Sequence, residues 1–182
     1  ISRIIPAAEG FLFRRIKMKY KNDLKFIPFT EGDIPELAPI MKRAFDEDTR
    51  IHLGRDEGGP PGYDNGEFLK KWGLHEGTTP FKISLNDKVI GAIILWINNE
   101  NHHNGLGTIF IDTDMQERGI GLEVWKKVES MYPDTVAWHT ETPIFSHRNH
   151  NFYVNKCGFH VVRIENPKDL EEGSFILEKK CK

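Results

Sequence analysis

Gln116-Glu117-Arg118-Gly119-Ile120-Gly121 is the stretch of this chain with the clearest capacity for chemistry. Its glycines can take backbone angles closed to other residues, and they leave no side chain between their amides and a ligand. Ile109 to Ile111 before it is a short β-branched and aromatic run. Ile120, Val124, Val128 and Met131 after it recur at the spacing of one helical face. The stretch should therefore turn a strand into the amino end of a helix, where open N–H groups attract anions. Taken alone the glycines are weak evidence, since the same spacing occurs at dinucleotide sites and at plain helix starts.

Two further groups of residues could do chemistry. Asn149-His150-Asn151-Phe152-Tyr153-Val154-Asn155-Lys156-Cys157-Gly158-Phe159 combines an aromatic pair with a glycine turn. Seven of the eight histidines fall between His75 and His160, and His147-x-x-His150 could place two imidazoles on one helical face beside His139. That invites a zinc reading, but no Cys pair or His-Glu-x-x-His motif accompanies them, so surface or pocket histidines are the better expectation.

The Gln-x-x-Gly-x-Gly turn between strand and helix, followed by the Phe-Tyr-x-x-x-x-Gly-Phe segment, resembles the GCN5-related N-acetyltransferases (GNAT), the acetyl-coenzyme A family. The resemblance spans roughly residues 24–178. It implies an α/β fold with a GNAT-like central mixed, mostly antiparallel sheet flanked by helices. It also implies transfer of an acetyl group from acetyl-CoA directly to a primary amine on a small molecule or peptide. By that resemblance the pantetheine arm meets main-chain groups of Ile111 and Thr113, and the pyrophosphate meets Gln116 and the amides of Arg118, Gly119, Ile120, Gly121 and Leu122. Tyr153 stands where the family's phenol serves as general acid. Relatives commonly carry Asn seven residues before this tyrosine and Ala four before it; here those positions are Ser146 and Asn149. Asn149 is the remaining candidate for the pantetheine arm from that helix. Asp112 and Glu141 are the candidate bases near the point where the family's strands diverge, and His139 shares a strand face with Glu141. Two other readings use parts of the same pattern: a noncatalytic acyl-CoA binding or sensing module, and a zinc-dependent hydrolase built on the histidines. The family's frequent dimerisation leaves a homodimer open.

The elements that must hold these residues are legible in outline. Leu24 to Phe29 reads as a first strand. Asp33, with Pro35 and Glu36 behind it, reads as the cap of a helix that carries Pro39 and should end near Asp48. Residues 46–65, centred on Gly58-Gly59-Pro60-Pro61-Gly62-Tyr63, should be a long loop, and the family commonly builds part of its acceptor pocket there. Asp46, Glu47, Asp48, Asp56, Glu57 and Tyr63 are its candidates for touching an amine. A short helix around Phe68 to Leu74 precedes strands at 81–85 and 89–97, joined at Asn86-Asp87. A polar turn over 98–107 should precede the central strand. Strands at 136–141, 160–164 and 174–177 surround a late helix capped by Ser146.

Composition bounds the rest. A chain of 182 residues with 38% hydrophobic and 11% aromatic content fits one globular domain. A formal net charge of −2 gives no field for nucleic acid, and no apolar run is long enough for a membrane helix. Cys157 and Cys181 are too few for a disulfide framework, which favours a reducing, cytoplasmic setting. Residues 1–17 read as an extension or expression remnant ahead of a natural start at Met18, with residues 18–182 forming a single acyltransferase domain.

Overall fold

The computed structural model describes residues 23–116 and 118–181. The proposed boundary at Met18 lies outside them. Seven strands form one sheet in the order β1-β2-β3-β4-β5-β7-β6: β1 (Leu24–Pro28), β2 (Thr78–Leu85), β3 (Lys88–Trp96), β4 (His103–Ile111), β5 (Ala137–Pro143), β6 (His160–Glu165) and β7 (Ser174–Lys180). Every neighbouring pair is antiparallel except β4 with β5, as the mixed, mostly antiparallel sheet requires. Helix α1 (Ile34–Leu53) lies on one face, and α2 (Ile120–Met131) and α3 (His147–His150) lie on the other. Helix α3 continues as a π-helical turn over Asn151–Lys156.

The nearly continuous apolar character of β3 follows from burial on both faces. Ala92 and Ile94 pack with Leu37 and Met41 of α1, while Ile93 and Leu95 pack with Val124 and Trp125 of α2. Trp125 and Trp138 are fully buried and meet edge to face at 5.2 Å, a geometry worth about 0.5–1.5 kcal/mol beyond area burial. The β2–β3 hairpin closes through Asn86 and Asp87, both at positive φ (51° and 65°), as a two-residue turn of matching twist demands. No helix among the described residues is long and apolar enough to cross a membrane.

Two expected boundaries shift because polar residues are buried there, and two local expectations change. Helix α1 runs to Leu53 and closes on Gly54 at φ 66°. Its last turns bury Asp48 and Thr49, and Thr49 Oγ1 donates to the Gly58 carbonyl at 3.0 Å, so the loop begins at Gly54 and is shorter than 46–65. Strand β4 starts at His103, inside the expected polar turn. There Asn104 is buried and its amide donates to Thr135 Oγ1 at 2.8 Å. The Asp33 carboxylate turns backward, accepting from the Thr30 N–H at 2.8 Å and pairing with Lys82 at 2.6 Å, so the anticipated box with Glu36 does not form. The expected short helix is the single π turn Leu69–Gly73.

Candidate active site

The parallel strands β4 and β5 stay paired only through His103↔Ala137, Asn104↔Trp138 and Gly105↔His139. Past that point they part, bridged by a side chain: Thr140 Oγ1 donates to the Leu106 carbonyl at 2.9 Å. The Asp112 N–H donates to Ile90 O at 2.7 Å, which fixes the alternation along β4. Phe110 and Asp112 bond toward β3, and Ile109 and Ile111 direct their main-chain groups away from it, into the opening. This exposed strand edge runs into the amino end of α2 along a cleft of about 330 Å³.

Glycine suits that helix start at two positions, by conformation at one and by close packing at the other. Gly119 is the N-cap at φ 78°, a left-handed conformation. A Cβ on Gly121 would sit 3.2 Å from Phe152 Cε2, so the aromatic ring of the late helix closes directly over the second glycine. The first intrahelical bond runs from the Glu123 N–H to the Gly119 carbonyl at 3.1 Å, which leaves the amides of Ile120, Gly121 and Leu122 open. All three residues line the cleft, as does Lys156. An amide cradle with an adjacent ammonium is an anion site.

The wider π turn over Asn151–Lys156 brings Phe152 and Tyr153 both inward, with Cys157 N–H reaching back to Phe152 O at 3.0 Å. Tyr153 is buried and packs against Phe152 and Phe159. Burial pushes its phenol well above the ordinary value, and the neighbouring Cys157 and Asp48 add to that effect. Tyr153 thus keeps its proton at neutral pH. Ser146 accepts from the Asn149 N–H at 3.4 Å, and Asn149 lines the cleft.

The cleft gathers Ile111, Gln116, Gly119, Ile120, Gly121, Leu122, Asn149 and Tyr153 from the residues anticipated by sequence. It does not gather four others. Thr113 belongs to a 3-10 turn, and its carbonyl accepts from the Gln116 N–H at 3.2 Å, so the open edge consists of Ile109 and Ile111. Arg118 is exposed beside the turn. Asp112 is buried and gripped by Arg43, with Nε at 3.1 Å and Nη2 at 2.7 Å. That guanidinium holds its carboxyl below the ordinary value, which makes it a poor base. Glu141 is exposed on β5 and alternates away from buried Thr140 and Thr142.

Arg148 is a side chain of the cleft that carries no sequence signal. Gln116 bonds inward twice, donating from Nε2 to the Ile111 carbonyl at 2.8 Å and accepting at Oε1 from Arg148 Nη1 at 2.8 Å. Arg148 also lies 3.4 Å from Asp48, whose carboxylate lines the same cleft. The histidines disperse: His139 stacks on His103, His147 faces His52 and His150 lies on Phe175. Among the described residues no group of three or more His, Cys, Asp or Glu is arranged to hold a metal ion.

Comparison with known proteins converges on the same architecture. The uncharacterized protein YrkN of Bacillus subtilis (strain 168) is 38% identical over 151 residues, which cover 82% of this chain and 80% of that protein. An acetyltransferase from Thermus thermophilus superposes with a TM-score of 0.65 at 17% identity, covering 86% of this chain and 96% of its own. The PaiA N-acetyltransferase of Thermoplasma acidophilum, solved with coenzyme A, gives 0.65 at 16% identity over 87% and 99%. The spermidine N-acetyltransferase of Vibrio cholerae, solved with CoA and spermine, gives 0.63 at 12% identity over 86% and 95%. These structures share the fold. The model of the acetyltransferase (GNAT) family matches residues 40–159, from the middle of α1 through the Gly158-Phe159 turn, and with the splayed strands and the glycine cradle inside that span the chain belongs to the GNAT family.

Proposed function

We infer that this protein binds acetyl-CoA in the cleft between β4 and β5 and transfers its acetyl group directly to a primary amine. The observation that carries this reading is the β4 edge left free by β5 at Ile109 and Ile111, where only the Ile111 carbonyl is taken, by Gln116, running into the open amides of Ile120, Gly121 and Leu122. An amide-bearing pantetheine arm fits the first, and a diphosphate fits the second. Lys156 adds charge where the phosphates would lie. The bound thioester supplies an activated acyl group, and this chain's residues do the rest. The strand edge orients the acyl group toward the acceptor, with a main-chain N–H available to its oxygen. Tyr153 holds a proton for the departing thiolate.

Direct transfer is favoured over an acyl-enzyme route. Cys157 is buried, and burial pushes its thiol up to about 12, so it has almost no thiolate at neutral pH. Cys181 lies at the carboxyl end of the chain, beyond β7.

The test is calorimetric titration with acetyl-CoA of the wild type and of Gly121→Glu, which places a charged side chain against Phe152 and the anion cradle. Binding by the wild type and its loss in a folded variant are expected. A folded wild type that takes up no acetyl-CoA overturns the reading. Release of free thiol with an amine panel then separates acetyl transfer from cofactor binding alone.

A further inference from the structure

The six acidic or phenolic candidates for meeting an amine are sorted sharply by their contacts. Asp46 is consumed by Tyr63 (2.6 Å), the Gly58 N–H (3.2 Å) and Lys42 (2.7 Å). Glu57 takes the same Lys42 at 2.6 Å, and Glu47 is held by two guanidinium nitrogens of Arg50, each at 2.8 Å. Tyr63 is buried in the α1 core, and Asp56 is exposed outside the cleft. Asp48 alone of the six lines the cleft.

Asp48 is also in an unusual state for a carboxylate. It is only 8% exposed, and its Oδ1 is fully buried without a hydrogen bond. Arg148 Nη2 approaches it as an ion-pair partner at 3.4 Å and His52 Nε2 lies 3.5 Å away, but neither closes a hydrogen bond to it. A buried carboxylate oxygen without a donor is costly, and a catalytic role or a bound ion is among the physical reasons such an atom is retained. His52 is not free to complete this one, because its Nε2 already faces the Arg148 N–H at 3.3 Å. Arg148 in turn is committed to Gln116 at the turn that begins the anion cradle. Asp48 and Tyr153 line the same cleft.

Resting on the acetyl-transfer reading above, we propose that Asp48 is the carboxylate that receives the acceptor's ammonium group, and that this buried charge selects cationic primary amines over neutral nucleophiles. The cleft is then polarised along its length. Open amides and Lys156 meet an anion at the α2 end, Asp48 meets a cation at the α1 end, and Tyr153 lies in the same cleft. An ammonium at Asp48 supplies the donor that its Oδ1 lacks, and it passes one proton to that carboxylate before attack. As the freed amine nitrogen bonds to the acetyl carbon and the carbon–sulfur bond breaks, the sulfur takes the Tyr153 proton, and the new amide nitrogen sheds its surplus proton to Tyr153 through solvent. The bound ammonium also takes over from Arg148 as the counter-charge, leaving that guanidinium to Gln116.

The experiment uses the full chain. With n-butylamine, spermidine and glycinamide as acceptors and thiol release as the readout, Asp48→Asn is expected to raise the acceptor KM by at least about tenfold. The Kd for acetyl-CoA should stay unchanged, and Asp56→Asn, a neighbouring surface change, should alter neither. An unchanged acceptor KM in Asp48→Asn overturns the proposal. A second measurement needs no turnover and no folded variant. In the CoA-loaded wild type with isotope-labelled aspartate carboxyls, n-butylammonium is expected to shift one carboxyl resonance that n-butanol leaves in place. No shift overturns the proposal. A shifted resonance without thiol release from any amine removes the transfer reading and leaves the ammonium site standing.

Discussion

Tyr153 carries the sharpest residue-scale expectation. Its ring is held by Phe159 and Phe152, so removing the oxygen leaves the packing in place. Tyr153→Phe should lower turnover by about 10² to 10⁴, the usual contribution of a positioned acid, while calorimetry shows acetyl-CoA affinity unchanged. Equal turnover in the two proteins would remove the acid role. The tyrosine was legible in the sequence because an aromatic pair followed by a glycine turn is a strong local pattern. Asp48 was one of six equivalent candidates, because what distinguishes it is an unmet oxygen, and that exists only once α1, α3 and the α2 start are assembled. Arg148 and its bond to Gln116 were invisible for the same reason.

At the scale of elements, the Arg43–Asp112 pair ties the middle of α1 to the end of β4, where the cofactor edge begins. Arg43→Met leaves a buried carboxylate without its donor and should cost about 1–3 kcal/mol in denaturant unfolding. The pH dependence has a definite sign. Asp112 is held below its unfolded value, so its contribution is present above the ordinary carboxylate range and is lost as pH falls through the folded value. The gap between wild type and Arg43→Met should therefore be widest near neutrality and narrow on acidification. A gap that widened in acid would contradict the pairing. Helix α2 and the glycine turn were readable because their apolar period and breakers agree with the fold. The end of α1 and the start of β4 were not, since Asp48, Thr49 and Asn104 are polar residues buried for tertiary reasons that local patterns do not encode.

In the whole molecule, the strand content and its meander were legible, but the position of β7 between β5 and β6 was not, because a run of apolar residues does not state its neighbours. Nor does the sequence state how far β4 and β5 stay together. That short pairing makes a distinct prediction about amide hydrogen exchange. Phe110 and Asp112 bond to β3 and should exchange only with large openings of the core, whereas Ile109 and Ile111, one residue away, should exchange as fast as loop amides. Saturation with coenzyme A should slow the second pair and leave the first almost unaltered. Uniform protection along the strand before ligand is added would mean that the sheet is closed. On the acetyl-CoA reading proposed above, a strand whose alternate amides differ in this way is one half of a ladder whose other half would be a small molecule, and the seven-stranded sheet would be completed only when that molecule binds.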